Sequence, residues 1–376
     1  MRLWVDEGWR PPLSLSEIHK AEAVREGPTN DNSQLPARLG YRWPAEWEPH
    51  ASTWLSWPKN PATWPGKFEP VPAEFAEFVR TLAKFEAVNI LAGGSAVMRQ
   101  ARVLVGNVQN VTLHDIETND AWCRDHGPTF LSFDKGQSQG EAALIDWEYN
   151  AWGGKYPPFD KDNEVPRKIA ELQSRRCFRT GIILEGGAID GNGLGTVMTT
   201  KSCLLNPNRN PQLSQSDLER YLSDYLGARK TLWLTGGEIA GDDTDGHIDQ
   251  IARFVGPRTI VVSLSDDPAD DNYAPTHLNW NELSQMADQD GQPLALVPLP
   301  LPAAKYVDGQ RLPCGYCNFV FANGGVIVPQ FEDPADFQAI KVLQELMPDR
   351  RVVGSPSLHL IWGLGSFHCL SQQEPA

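Results

Sequence analysis

The chain has no apolar run long enough to span a bilayer, and its first residues, MRLWVDEGWRPPLSLSEIHK, lack the hydrophobic centre of a signal peptide. Both absences point to a soluble protein of the cytoplasm. Cysteine is scarce. Six in 376 residues (Cys123, Cys177, Cys203, Cys314, Cys317 and Cys369) are too few for a disulfide framework, so reduced thiols are expected. Positive charge is in deficit too: 33 Lys and Arg stand against 48 Asp and Glu, a net charge of −15. That balance disfavours nucleic acid and anionic membranes as partners and favours a small cationic ligand. No HExxH and no EF-hand loop occurs.

Glycine, proline and tryptophan are plentiful, at 32, 30 and 13 residues, which suggests many short elements rather than a few long helices. Residues 1–34 are polar and without a sustained period, an N-terminal extension with a short helix near SLSEIHKAEAV; residues 35–376 read as one catalytic domain. Phe75, Phe78, Val79 and Leu82 follow a helical period, and VNILAGG after them reads as a strand entering a turn. Ser214 with Asp217 opens a second helix that Gly227 closes, and TLWLTGG is again strand then turn. A third helix starts with Asp333 as N-cap and Pro334 at its first position, and TIVVSL is a strand between them. Strand and helix alternate, as in an α/β fold. Gly-Gly pairs recur in LAGGSAV, LEGGAID, LTGGEIA and ANGGVIV at irregular spacing, a faint hint of repeated strand–turn units.

Three polar clusters and one thiol could carry chemistry. In GGEIAGDDTDGHIDQIARFV, Asp242, Asp243 and Asp245 precede Gly246; if the following segment is extended, His247 and Asp249 project to one face, an imidazole beside a carboxylate. The ordinary reading is a solvated acidic loop with a structural histidine, and a metal site is a further option. TNDAWCRDHGPTF gathers Asp120, Trp122, Arg124, Asp125 and His126, where a buried Arg–Asp pair in a turn is the simplest account. GIILEGGAIDGNG delivers Glu185 from a strand end straight into two glycines. Cys369 lies seven residues from the chain end, in WGLGSFHCLSQQEPA, where a glycine-rich approach lets backbone N–H groups near the sulfur and can lower a thiol pKa. Taken alone, a buried terminal cysteine explains it equally well. Together the clusters supply a thiol, a histidine and several carboxylates near an aromatic wall. Paired carboxylates and an indole suit a planar guanidinium, whose central carbon a thiolate can attack.

The strings WPAEWEPHASTWLSWP, NDAWCRDHGPTF, WEYNAWGG, LEGGAID, KSCLLNPNRNP, TDGHID, NGGVIVPQF and FHCLSQQEP run in order from Leu35 to Pro375. In them the chain resembles the agmatine deiminase family, which includes bacterial-type peptidylarginine deiminases and belongs to the guanidine-modifying penteins. The resemblance implies a pentein fold, a five-bladed pseudo-symmetric α/β propeller of ββαβ-type units with the active site in a central channel. It implies Cys369 as nucleophile, His247 as general acid/base, Asp125 and Asp249 as guanidinium clamp, and Glu185 orienting histidine or substrate, with Trp122 lining the channel. It implies no metal or organic cofactor. Where the family commonly reads GGGNIHC, LEGGSIH and DETDGH, this chain reads GLGSFHC, LEGGAID and DDTDGH. The last two changes place Asp190 in a histidine position and shorten a carboxylate at Asp243, near the expected amine end of the substrate.

The activity so implied is hydrolysis of agmatine to N-carbamoylputrescine and ammonia. The alternatives are deimination of peptidyl arginine or another guanidino compound, transfer of the amidino group to an amine, and an idle guanidine-binding protein. Cys314 and Cys317 form a CxxC that could serve thiol–disulfide exchange or half a zinc site; buried free thiols explain it more simply. An extended terminal stretch would point His368 and Cys369 to opposite faces, which excludes His368 as the base. A homodimer is compatible with such a chain, and the sequence does not fix the oligomeric state.

Overall fold

Five times along the chain, a strand pairs antiparallel with the next strand of its unit, which pairs parallel with a third across a helical crossover. The structure, a computed structural model, describes residues 34–133, 140–236 and 238–376. In one unit, Asp190–Gly191 pairs with Thr196–Thr200, which lies parallel to Lys230–Leu234 across helix Gln215–Leu226. Ala252–Phe254, Thr259–Ser263 and Ala295–Leu299 repeat the arrangement across helix Tyr273–Ser284. So do Val320–Ala322, Gly325–Gln330 and Arg351–Pro356 across helix Ala335–Leu346. Thr129–Phe133, Gly140–Glu148 and Cys177–Ile183 do so across Val165–Gln173, with Tyr41–Arg42 added at the edge.

The fifth unit joins the two ends of this domain. His50–Ser56 runs parallel to Val88–Leu91 across helix Val71–Leu82, and its antiparallel partner is the chain's last strand, Ser371–Pro375. The five ββαβ units are those of a pentein propeller, and the C-terminal strand closes the ring. That strand is buried along its length. A short hairpin, Tyr306–Val307 with Gln310–Arg311, stands apart from the five sheets.

Local sequence explains the crossovers. Phe75, Phe78, Val79 and Leu82 form the buried stripe expected of helix Val71–Leu82 and pack with Val88 and Ile90 of the adjoining strand. Each such side chain contributes about 1.5–3 kcal/mol by leaving water. Ser214 and Asp217 make a full capping box, and Gly227 ends the helix in the left-handed region at φ 74°. The third helix begins one residue later than its sequence suggests. Pro334 precedes the first helical residue, Ala335, yet Asp333 still caps the end by accepting the Ala335 N–H at 3.0 Å. Three Gly-Gly pairs, at Gly93, Gly186 and Gly236, follow the last strand of a unit, whereas Gly324–Gly325 sits in a hairpin. Even the three alike in placement are unevenly spaced, because the units that separate them differ in length. Gly237 lies outside the described residues, as do residues 1–33 and so nearly all of the expected extension and its helix. No helix among the described residues is long and apolar enough to cross a membrane.

The last strand is anchored by the turn ahead of it. Phe367 is fully buried and stacks on Phe78 with ring centroids 4.2 Å apart and planes at 4°. Truncating Phe367 to Ala should therefore lower stability by about 3–5 kcal/mol, measured as a fall in the urea midpoint with an unchanged slope.

Candidate active site

Each unit's first strand is preceded by a short helical or hydrogen-bonded turn, and these five turns pack against one another at the centre of the ring. They are Cys123–His126, Gly186–Ala188, Ile248–Ile251, Tyr316–Asn318 and the turn over residues 367–370. The circle is closed by main-chain bonds: His368 N–H donates to Asn318 carbonyl O at 3.1 Å, and Arg124 N–H to Cys369 carbonyl O at 3.1 Å. Asp125, Glu185, His247, Asp249 and Cys369 sit on or beside these turns, two to five residues ahead of a strand. All five are buried.

Two expectations about local geometry are corrected. His247 and Asp249 do not share the face of a strand, because residues 248–251 form a helical turn and the strand begins only at Ala252. They converge through that turn instead. Residues 367–370 are likewise a turn and not an extended run, so His368 and Cys369 do not point apart: both reach the same oxygen, Asp249 Oδ2, from 2.8 Å (Nδ1) and 3.4 Å (Sγ).

Gly187 marks where the groups meet. A Cβ built there would lie 2.7 Å from Asp125 Oδ1, 2.7 Å from His247 Nδ1 and 3.1 Å from Asp249 Oδ2. Only a residue without a side chain lets these three approach. The Gly187 N–H donates to Asp125 Oδ1 at 2.9 Å, and the Trp152 indole donates to Asp125 Oδ2 at 3.0 Å. Trp152 reaches that position from a left-handed backbone, φ 54° and ψ 48°, an uncommon conformation for a bulky residue and one that concentrates at functional sites. His247 Nδ1 is 3.7 Å from Asp125 Oδ1, and neither ring nitrogen has a hydrogen-bond partner. Gly365 plays the part of Gly187 on the thiol side: a Cβ there would meet the Trp122 ring at 2.4 Å and Cys369 Cβ at 3.1 Å.

The thiol is not activated in the way its glycine-rich approach suggests. Burial, with Asp249 and Asp125 adding to it, holds the Cys369 thiol well above its ordinary pKa, against the Ser366 backbone and Asn318. Burial works against the charged form of His247, yet Asp125, Cys203 and Glu185 outweigh it and raise its pKa well above the ordinary value. Asp125 is pushed up to about 6 by burial, with Asp249 and Glu185 adding. Asp249 is held below its usual range despite burial, chiefly by His368. These shifts favour the protonated forms of Cys369 and His247 beside an ionised Asp249.

Asn318 and Arg209 are functional candidates that the sequence reading missed. Asn318 Nδ2 donates to Cys369 Sγ at 3.2 Å and to Asp249 Oδ2 at 3.4 Å, while its Oδ1 accepts the N–H groups of His368 at 3.0 Å and Cys369 at 3.2 Å. It is the contribution of the remaining turn, and only the fivefold arrangement would have signalled it. Arg209, in KSCLLNPNRNP, binds Glu185 Oε1 through Nε at 2.7 Å and also pairs with Asp245. Glu185 thus stands beside His247, its Oε2 unpartnered. Glu185, Cys203 and His247 are the one group among the described residues whose ligand atoms, all within 4.8 Å of each other, could hold a metal; the Arg209 guanidinium already takes one oxygen of that carboxylate.

A cavity of about 720 Å³ opens onto this centre, lined among others by Asp120, Trp122, Asp125, Trp152, Asp162 and Cys369. Trp122 stacks on Trp64 with centroids 5.6 Å apart, a flat wall beside the thiol. Asp243 lines the cavity as well, but Lys155 at 3.1 Å and the Tyr156 hydroxyl engage its two oxygens. Asp190 lies away from the cavity lining, where it binds Arg253 Nε at 2.6 Å. All six cysteines are free; Cys314 and Cys317 are buried, with Cys317 Sγ accepting from Ser263 Oγ at 3.2 Å.

Comparison with known proteins follows this geometry. Residues 42–375 match the family of Porphyromonas-type peptidyl-arginine deiminases. The agmatine deiminase of Pseudomonas aeruginosa is 40% identical over 92% of this chain and 98% of its own. The solved agmatine deiminase of Enterococcus faecalis superposes with a TM-score of 0.85 at 33% identity, covering 91% of this chain and 97% of its own. A C. jejuni agmatine deiminase with substrate bound gives 0.82 at 31% identity, covering 89% and 96%.

Gly187→Ala should leave the protein folded and lower kcat/KM at least about 100-fold, since a misplacement of about 1 Å has that effect on oriented groups. Circular dichroism with steady-state rates checks both halves.

Proposed function

Since the chain belongs to the agmatine deiminase family, within the Porphyromonas-type peptidyl-arginine deiminases, we propose that it hydrolyses agmatine to N-carbamoylputrescine and ammonia. The observation that carries this reading is the convergence of Asp125, His247 and Asp249 on Gly187, with the Cys369 sulfur 3.4 Å from Asp249 Oδ2.

A guanidinium entering between Asp125 and Asp249 brings a positive charge to a site whose carboxylates hold the thiol protonated. Its charge offsets theirs, the thiol pKa falls, and the thiol proton leaves to solvent. The sulfur then adds to the guanidinium carbon, forming a C–S bond and a neutral tetrahedral adduct. His247, an imidazolium, gives its proton to one amino nitrogen, the C–N bond breaks and ammonia departs, leaving an S-alkylthiouronium on Cys369. Neutral His247 next takes a proton from water as the water oxygen adds to the same carbon. Collapse breaks the C–S bond, the adduct's hydroxyl proton passes to the departing sulfur, and the neutral ureido product leaves a thiol and an imidazolium, the resting state. Trp122 and Trp152 flank the path, Asn318 and Gln250 donate to the sulfur at 3.2 and 3.7 Å, and Glu185 with Arg209 stands behind His247.

The far end of the substrate fits the cavity's charge. Asp120 and Asp162 are each pushed up to about 7, first by burial, so an ammonium group nearby would favour their ionised forms. A small cationic guanidino compound is the partner in this reading, and the cytoplasm, where free thiols persist, is its compartment.

Ammonia release measured with agmatine, free arginine and arginyl peptides tests the assignment. Agmatine should be preferred, and Cys369→Ala should abolish release; no turnover of any guanidine at neutral to alkaline pH defeats the assignment. Because the thiol titrates above its ordinary range and His247 stays protonated above its own, kcat/KM should climb from neutral into alkaline pH. Inactivation by iodoacetamide should climb with it. A rate already level below pH 6 contradicts that assignment of states.

A further inference from the structure

His368 has no part in the reaction just described, although it is the group closest to the carboxylate clamp. It is fully buried and absent from the cavity lining. Its Nδ1 lies 2.8 Å from Asp249 Oδ2 and its Nε2 lies 2.8 Å from Glu46 Oε1. Each ring nitrogen thus faces one carboxylate oxygen at hydrogen-bond distance. Asp249 is held below its usual range, and Glu46 well below it, with Arg253, His368 and Arg124 overcoming its burial.

Glu46 is itself fixed from several sides. Arg253 NH2 binds its Oε2, and Arg124 NH1 lies 3.2 Å from its Oε1. Arg253 Nε in turn binds Asp190 at 2.6 Å. The result is a buried chain of paired polar groups, running Asp190, Arg253, Glu46, His368, Asp249. At its end, Asp249 Oδ2 is saturated by His368, Asn318 and Cys369, while Oδ1 is buried without any partner. A buried carboxylate oxygen left empty is costly unless something is meant to fill it.

We propose that His368 and Glu46 are positioning residues: Glu46 holds the His368 ring, and His368 holds Asp249 so that its free Oδ1 is presented to the guanidinium. Asp190 anchors the far end of the same chain through Arg253. The proposal rests on the deiminase reading, because Asp249 matters here as the clamp for a guanidinium.

The two ring nitrogens can be replaced separately. The amide of Asn occupies roughly the place of Nδ1, and that of Gln roughly the place of Nε2. His368→Asn keeps a donor for Asp249 and should retain kcat/KM within about 5-fold, whereas His368→Gln keeps only the Glu46 contact and should lose about 10- to 100-fold, the range of one charge-assisted hydrogen bond. In an Asp249→Asn background, His368→Gln should add less than about 2-fold, since residues acting through one another are not additive. Glu46→Gln should show a smaller loss that also disappears in that background, and it carries the test if His368→Gln fails to fold; thermal melting identifies such a failure. Equal losses for His368→Asn and His368→Gln, or losses that multiply with Asp249→Asn, overturn the proposal while wild-type turnover of agmatine leaves the deiminase reading intact. A wild-type chain that releases ammonia from no guanidine removes both.

Discussion

Pairing of the last strand, Ser371–Pro375, with His50–Ser56 is the contact on which the rest of the molecule depends. It joins residues more than 300 positions apart and makes the ring of five units complete. Without it the turn over residues 367–370 would keep only its own bonds to Asn318 and Arg124 and the Phe367 stack, and the thiol would sit beside a frayed end. With it, Cys369 is two residues from a buried strand, its carbonyl accepts the Arg124 N–H, and Phe367 is stacked on Phe78. A thiol so late in the sequence is placed as firmly as one in the middle.

The ring also solves an electrostatic problem. Asp125, Glu185 and Asp249 are all buried within reach of one imidazole, a crowd of like charge that would be very unfavourable unpaired. Each carboxylate is met by something different: Trp152 and the Gly187 N–H for Asp125, Arg209 for Glu185, His368 for Asp249. What remains is enough negative potential to keep His247 protonated and Cys369 neutral. In the proposed reaction, the same potential that keeps the thiol protonated attracts a cationic guanidinium, so reactivity arrives with the substrate.

Much of this was legible in the sequence, for reasons tied to particular residues. The amphipathic stripe of Phe75, Phe78, Val79 and Leu82 and the Ser214–Asp217 box are local signals, and local signals survive into structure. The chemistry-bearing clusters and the α/β alternation were visible, and the ordered family motifs carried the fivefold fold. What was not legible depended on tertiary closure. Apolar neighbours at His247–Asp249 and at His368–Cys369 suggest extended backbone; in both places a turn intervenes just before the strand starts. An extended reading sets His368 aside, and Asn318 escapes notice because its neighbours in CNFV carry no motif of their own. Burial, which decides that the Cys369 thiol is raised rather than lowered, has no sequence signature at all.

The central claim is that Cys369 forms a covalent bond to the guanidinium carbon while the ring holds that carbon in place. Mass analysis of the protein quenched in acid during turnover of agmatine tests it most directly. The account predicts an adduct with the mass of agmatine less ammonia, carried on the peptide that contains Cys369 and absent before substrate is added. Steady turnover with no adduct on that peptide, or with the adduct on Cys203 instead, would contradict it.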